Sequence, residues 1–411
     1  MRYAISLSVI IVILLLYGLL HKPQPSPVYV GVLHSLSGTM ANSERPVMEA
    51  TLLAIEQVNA AGGMMGRTIV PVVEDGASDP SIFADKAEML ISQKHVDAIF
   101  GCWTSACRKR VKRVVESHQN ILFYPLQYEG MEASPNIIYT GATPNQQIIP
   151  AVSWSLEHLG KRVYLVGSDY IFPRVANWLI RQQVALLGGT VVGERYIPLG
   201  SNDVQAVMDD LQRDAVDVVI NTINGSSVQA FFQHYASDWD AARLPVMSFS
   251  LGENEIKSMG LQQAMQGNYT TWSYFQSIES AENTRFIQAF HQRYGEQRVI
   301  SDPMEAAWNS VHLWVDAATA AQTCKPDAVL ATIRHRSMRA PEGIVSIDHD
   351  SLHSWKMVRI GQADATGQFH VVWQSEYPIQ PTPFPLMVSK EQALDFEQEW
   401  YERWNKHWSA P

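Results

Sequence analysis

Val96-Asp97-Ala98-Ile99-Phe100-Gly101, then Cys102-Trp103-Thr104-Ser105-Ala106-Cys107, then Ile121-Leu122-Phe123-Tyr124, is the stretch that decides the fold. Its two apolar runs are continuous rather than alternating, as strands covered on both faces must be. Between them lies a helix-length segment opened by Thr104 or Ser105, either of which can serve as its cap. Parallel neighbours need such a crossover, so the stretch reads as a βαβ unit. Working outward, Val28–Leu33, Thr68–Val73, Val163–Val166, Val216–Thr222 and Leu244–Ser248 repeat the pattern. Pro245 makes the last the weakest, since it suits only a first residue or an edge. A helix capped near Asn42 or Ser43, with Pro46 in its first turn, puts Val47, Thr51, Ala54 and Val58 on one face before Gly62-Gly63 ends it.

A chain of 411 residues exceeds what one such sheet uses, so two α/β lobes are expected. Open parallel sheets bind ligands beyond the carboxyl ends of their strands, and two facing lobes make a cleft that closes by hinge motion. With 46% apolar and 18% charged residues the chain is globular. A net charge of −10 argues against nucleic acid as a partner, and three cysteines exclude a disulfide scaffold. Residues 1–27 begin with Arg2 and an uncharged run from Ala4 to Leu20, which spans ~26 Å at ~1.5 Å per residue. That run reads as a signal peptide or a membrane anchor, placing the body outside the cytoplasm.

The strand exits hold the candidate chemistry. Trp103, Thr104 and Ser105 open one helix; Arg108-Lys109-Arg110 and Lys112-Arg113 wind around it and read as a solvated face. Tyr124-Pro125-Leu126-Gln127-Tyr128-Glu129 is a dense hydrogen-bonding set at the next exit, although buried structural tyrosines would look the same. Gly167-Ser168-Asp169-Tyr170 and Asn224-Gly225-Ser226-Ser227 follow later strands, where ordinary turn chemistry explains either one alone. Glu305 stands in a helix start and suits either a ligand's N–H groups or the helix dipole. Cys102 and Cys107 read as small buried hydrophobes, and Cys324 as unpaired. His349 and His353 read as part of a turn rather than a metal pair. No nucleotide, zinc-hydrolase or nucleophile-elbow motif occurs, so no catalytic residue, cofactor or metal is assigned.

Taken in chain order, these exits resemble the urea-binding proteins of ABC importers. The likeness runs through Gly31-Val32-Leu33-His34-Ser35-Leu36-Ser37-Gly38, Glu74-Asp75-Gly76, Gly101-Cys102-Trp103-Thr104-Ser105, Phe123-Tyr124-Pro125-Leu126-Gln127-Tyr128-Glu129-Gly130 and Gly167-Ser168-Asp169-Tyr170, on to Pro303-Met304-Glu305 and Ala340-Pro341-Glu342-Gly343. The family also includes sensors of short-chain amides. Those carry Thr-Pro where this chain has Leu126-Gln127, and the glutamine is similar to the urea branch. The resemblance implies an α/β chain of two doubly wound parallel-sheet lobes joined by a three-strand hinge, the type I periplasmic binding protein fold. Lobe 1 would hold 28–143 with 276–339, and lobe 2 would hold 144–275 with 340–385.

It further implies that urea, or a short-chain amide, is captured in the cleft and delivered to an ABC transporter permease, without chemistry. The protein would be periplasmic or otherwise extracytoplasmic, either free or held at the inner membrane by its N-terminal segment. Ser105 and nearby N–H groups would hold the carbonyl, and Gln127 and Glu305 would accept from the amides. Trp103, Tyr124 and Tyr170 would wall the site, and Thr104 and Asn224 would also bind the ligand. Two rivals stand beside this: a membrane-anchored receptor for urea or a short amide that serves a signalling partner, and an amidohydrolase using Cys102 or Cys107. Residues 386–411 carry a helix capped by Ser389, in which Phe396, Trp400, Trp404 and Trp408 recur every four positions and must be buried, on the body or at a membrane interface.

Overall fold

The computed structural model describes residues 26–410. The leader read at 1–27 therefore lies, apart from its last two positions, outside the described residues. Among the described residues no helix is long and apolar enough to cross a membrane.

Strands β1 (Val28–His34), β2 (Ile69–Asp75), β3 (Ala98–Gly101), β4 (Leu122–Tyr124) and β5 (Ile137–Tyr139) form one wholly parallel sheet in the order β2-β1-β3-β4-β5. Strands β6 (Arg162–Ser168), β7 (Thr190–Ile197), β8 (Val218–Thr222), β9 (Val246–Ser248) and β10 (Tyr269–Trp272) form a second. The chain then makes a small antiparallel sheet of β11 (Ser337–Ala340), β12 (Gly343–Ile347) and β13 (Ser354–Trp355). Finally β14 (Arg359–Ala363) and β15 (Phe369–Gln374) add an antiparallel edge to the second sheet, whose order is β15-β14-β10-β9-β8-β6-β7. All seven strands expected from the sequence are present with shifted ends. Strands β5, β7 and β10–β15 were not anticipated.

Each sheet reverses its winding once, between β1 and β3 in the first and between β6 and β8 in the second. The loops after those strands diverge and leave a crevice, which is where open α/β sheets take ligands. At the first crevice the strands are drawn tightly together: a Cβ on Gly101 (φ +148) would stand 1.9 Å from the Leu33 carbonyl oxygen, so no other residue fits.

After β10 the chain returns to the first lobe, where the helix Asp302–Ala321 packs along Ala41–Ala60. Its Met304 joins Leu33, Val47, Trp103 and Tyr124 on one side of the sheet. Val311 and Trp314 join Val28, Val32 and Phe100 on the other, together with Ala340, Val345 and Ile347 from β11 and β12. The lobes are joined by three crossings. Gln147 donates to the carbonyls of Phe249 (3.1 Å) and Thr271 (2.8 Å); the Ser273 and Tyr274 N–H groups donate to Asp302 (3.0 and 2.9 Å); Lys356 donates to the Thr140 carbonyl (3.0 Å).

The helix expected to be capped at Asn42 or Ser43 begins instead at Ala41, with Met40 at the cap and no side-chain cap bond. Its first turn is tied to neighbouring loops: Met40 N–H donates to Ser78 Oγ (3.0 Å) and Glu44 accepts from Ser35 N–H (2.9 Å). The tail helix runs from Lys390 to Arg403 with Ser389 as its cap. It packs on the body: Phe396 stacks on Trp178 at 4.8 Å, and Arg174 lies between Tyr196 and Trp400.

Candidate ligand-binding site

In this structure the two crevices face each other and the cleft is closed. Polar contacts cross it at several points among the described residues. Trp103 Nε1–H donates to Asn224 Oδ1 (3.1 Å), Thr39 and Ser226 share a hydroxyl bond (2.8 Å), Gln127 Nε2 donates to the Phe249 carbonyl (2.9 Å) and Asn254 donates to the Asn42 carbonyl (3.1 Å). Trp103, Tyr124, Gln127, Tyr170 and Asn224, which the sequence proposed together, are buried here.

Thr104 caps the helix Ser105–Ser117 by accepting from Cys107 N–H (3.2 Å), and the first intrahelical bond runs from Arg108 N–H to the Thr104 carbonyl (3.0 Å). Helix geometry leaves the N–H groups of Ser105 and Ala106 without intrahelical partners, a donor pair backed by the positive end of the helix dipole. The Ser105 hydroxyl is itself taken, donating to Glu129 (2.5 Å) and accepting from Arg108 (2.8 Å). The Tyr124 hydroxyl donates to the Trp103 carbonyl (2.5 Å).

Tyr170 faces this group from lobe 2. Burial first, then Tyr124 and Glu129, push its hydroxyl pKa well up, with Glu44 also near enough to contribute. It therefore stays protonated and can donate. Gln127 is held by two donations from Nε2, to Phe249 O and to Ser250 Oγ (3.3 Å), while its Oε1 is buried with no donor among the described residues. A pocket of about 190 Å³, lined by Thr104, Ala106 and Tyr170 among others, lies at the outer edge of the cleft.

Glu305 is placed elsewhere. It accepts from the Glu342 N–H (3.2 Å) in a buried hinge cluster with Lys356, and burial followed by Glu342 pushes its pKa well up. No bond joins it to Ser105, Gln127 or Tyr170 among the described residues.

Two readings of the helix after Thr104 are corrected. The basic run is not simply a solvated face, since Arg108 and Lys109 are buried. Arg108 pairs with Glu129 (3.0 Å) and Glu132 (2.9 Å) and lies over the rings of Tyr124 and Tyr128; Lys109 pairs with Glu397 (2.9 Å). Burial opposes the Arg108 charge, but Glu132 and Glu129 outweigh it. Those carboxylates come from distant segments, so the helix sequence alone could not announce them. Cys102 and Cys107 are buried as expected, but they are joined in a disulfide that brackets Trp103, Thr104 and Ser105. Neither then presents a thiolate, so the amidohydrolase reading loses its nucleophile. Cys324 is free.

Sequence reasoning also passed over His34 and Glu44. His34 ends β1, and Glu44 sits in the first turn of the next helix; their side chains meet at 3.3 Å, fully buried at the lobe 1 crevice. A histidine and a glutamate on either side of a strand exit were the available signal.

The profile of the periplasmic binding protein domain family matches residues 28–390. A relative named limonene hydroxylase, from Geobacillus stearothermophilus, is 33% identical over 134 residues, which is 33% of this chain and 24% of that protein. Leu/Ile/Val-binding protein homolog 6 of Brucella melitensis is 27% identical over 227 residues, covering 54% of this chain and 57% of the relative. The chain thus spans about a quarter of the first relative's length and just over half of the second's. Among solved structures, a solute-binding protein of an ABC transporter from R. palustris, in complex with 4-hydroxybenzoate, superposes with a TM-score of 0.77 at 21% identity, covering 86% of this chain and 98% of that one. The chain therefore has the type I periplasmic binding protein fold and belongs to the periplasmic binding protein domain family.

Proposed function

We propose that this protein is an extracytoplasmic solute-binding protein that captures urea, or a short-chain amide, between its lobes and delivers it to an ABC importer without altering it. The observation that carries this reading is the buried, unpaired Oε1 of Gln127, set in a closed cleft with the free N–H pair of Ser105 and Ala106. An acceptor and a pair of donors on the walls of one cleft complement an amide, which offers N–H groups beside a carbonyl.

Urea has four heavy atoms and negligible apolar area. At a ceiling of ~1.5 kcal/mol per heavy atom its binding reaches ~6 kcal/mol, a Kd of roughly tens of micromolar. Reaching that ceiling needs donors and acceptors fixed in advance and water kept out. The latches Trp103–Asn224 and Gln127–Phe249 provide the closure, and the bond from Tyr124 to the Trp103 carbonyl fixes the loop. The relatives' names speak of leucine, isoleucine and valine, and of 4-hydroxybenzoate, all carboxylates. Glu129 is paired with Arg108, but Glu44 lies beside the cleft with one oxygen unpaired, a poor surrounding for a simple anion such as 4-hydroxybenzoate.

Calorimetric titration with urea, acetamide, formamide and leucine tests the proposal. Saturable binding of urea is expected, with no heat from leucine. Binding of leucine but not urea would reject the ligand class while leaving the fold untouched.

A further inference from the structure

Gln127 Oε1 is not the one acceptor left without a donor at the cleft. Glu44 Oε1 and His34 Nε2 are also buried and unpaired, on residues each 1% exposed. Glu44 Oε2 accepts from Ser35 N–H at 2.9 Å and from His34 Nδ1 at 3.3 Å. Those two donors fix the carboxylate's orientation, so its second oxygen is free because of how the site is built and not because the side chain is loose.

The position is the lobe 1 crevice itself. His34 follows Leu33, which is paired with Gly101 at the edge of the Cys102–Ser105 loop. The segment from Thr39 to Glu44 is held against lobe 2 through Thr39–Ser226 and Asn42–Asn254, and Tyr170 of that lobe lies within reach of the Glu44 charge. A buried carboxylate oxygen is costly to leave unsatisfied. With the cleft shut, a solute N–H held between the lobes is a donor that would satisfy it.

We propose that Glu44, oriented by His34 and Ser35, is the residue that selects a solute with two amino groups on one carbonyl carbon. Its Oε1 takes N–H from one amino group while Gln127 Oε1 takes N–H from the other and the Ser105–Ala106 N–H pair holds the carbonyl. Urea satisfies both acceptors at once. Acetamide turns a methyl group towards one of them and leaves it unpaired, which corresponds to a preference for urea of roughly 10- to 100-fold. This assignment rests on the amide-binding reading above.

The test is calorimetry with urea and with acetamide on the full chain, on Glu44→Gln and on Glu44→Asp, with a thermal melt of each. In Glu44→Gln the Ser35 N–H still demands an acceptor, so the amide oxygen takes that side and the NH₂ lands where Oε1 was, facing the solute's own donors. Urea affinity is expected to fall roughly 10- to 100-fold while acetamide changes far less, so the ratio of the two collapses. Glu44→Asp draws the carboxylate back by one methylene and should move the ratio the same way. A folded variant that keeps the wild-type ratio within twofold would overturn the role of Glu44 alone. Wild-type protein that binds acetamide as tightly as urea would do the same without any variant. No urea binding by the wild type would overturn the amide reading and this assignment together.

Discussion

Replacing Gln127 by leucine removes two things at once, and the structure separates them. One is the interlobe latch, Nε2 to the Phe249 carbonyl at 2.9 Å and to Ser250 Oγ at 3.3 Å. Losing it strands little, because Gln147 Nε2 also donates to the Phe249 carbonyl at 3.1 Å and remains in place. The other is the free Oε1, and its loss leaves a solute N–H buried against a methyl group, a penalty of about 1–3 kcal/mol. Urea binding should therefore weaken by roughly 5- to 150-fold, moving a Kd of tens of micromolar towards the millimolar range. Gln127→Glu is the matched control. It keeps an acceptor for the solute but sets a carboxylate oxygen against the Phe249 carbonyl, so it should weaken closure more than contact. Isothermal titration of all three proteins, with an interlobe distance from paired fluorophores, reads both effects. A leucine variant that binds urea within twofold of wild type would show that Gln127 does not touch the solute.

Three further outcomes follow from features around the site. The Cys102–Cys107 bond closes a six-residue loop (a separation of five), so Cys107→Ser should lower stability by about 2 kcal/mol on the loop-entropy relation, read from thermal melts with and without reductant; equal melts would deny the bond a stabilising role. Glu397→Gln puts a neutral amide where the buried Lys109 ammonium has its nearer counter-charge, leaving the carboxylate of Glu132 at 3.7 Å, and should cost about 3 kcal/mol, checked by calorimetric unfolding; a loss below about 1 kcal/mol would mean the pair is solvated. Stability should peak in mildly acidic buffer. Burial raises Glu132, but Arg108 and Lys109 outweigh it and hold its pKa at about 2, so stability is lost as pH falls from the ordinary 4.5 towards 2. Burial raises Glu253 to about 8 and Glu255 to about 7, so stability is lost again as pH rises from 4.5 through that range. Glu253→Gln should flatten the alkaline side of a melting-temperature profile, and an unchanged profile would count against it.

Much of the fold was legible because parallel strands covered by helices leave an unbroken apolar signature, as in Val163–Val166 and Val216–Thr222. What escaped notice lacked that signature. Strand β7 lies at a sheet edge, mostly half-buried, and β15 exposes five of its six residues, so neither carries a continuous apolar run. The candidate site was legible to the extent that strand exits line the cleft, where Trp103, Tyr124, Tyr170 and Asn224 are buried. Partners that depend on distant segments were not. Arg108 looks like any basic helix residue until Glu129 and Glu132 fold over it, and Cys102 and Cys107 look like small apolar residues until the loop turn joins them. Glu305 shows the reverse failure: a helix-start carboxylate near a matching motif, drawn into the hinge by Glu342 and Lys356.

The tail grips the two halves by different means. Towards lobe 2 it adds main-chain bonds to its side-chain packing, Ile171 N–H to the Trp408 carbonyl and Ala410 N–H to the Asp169 carbonyl, both 3.0 Å. Towards the other half it uses side chains, with Lys109 bonded to Glu397 and lying 4.7 Å above the Trp408 indole. We expect the main-chain seam to hold when the halves swing apart, carrying Trp408 away from the ammonium that sits over it. The molecule would then report its own gape as a change in intrinsic tryptophan emission, with no dye attached. Emission that Trp408→Phe leaves unchanged through a full solute titration would mean the tail rides with the opposite half.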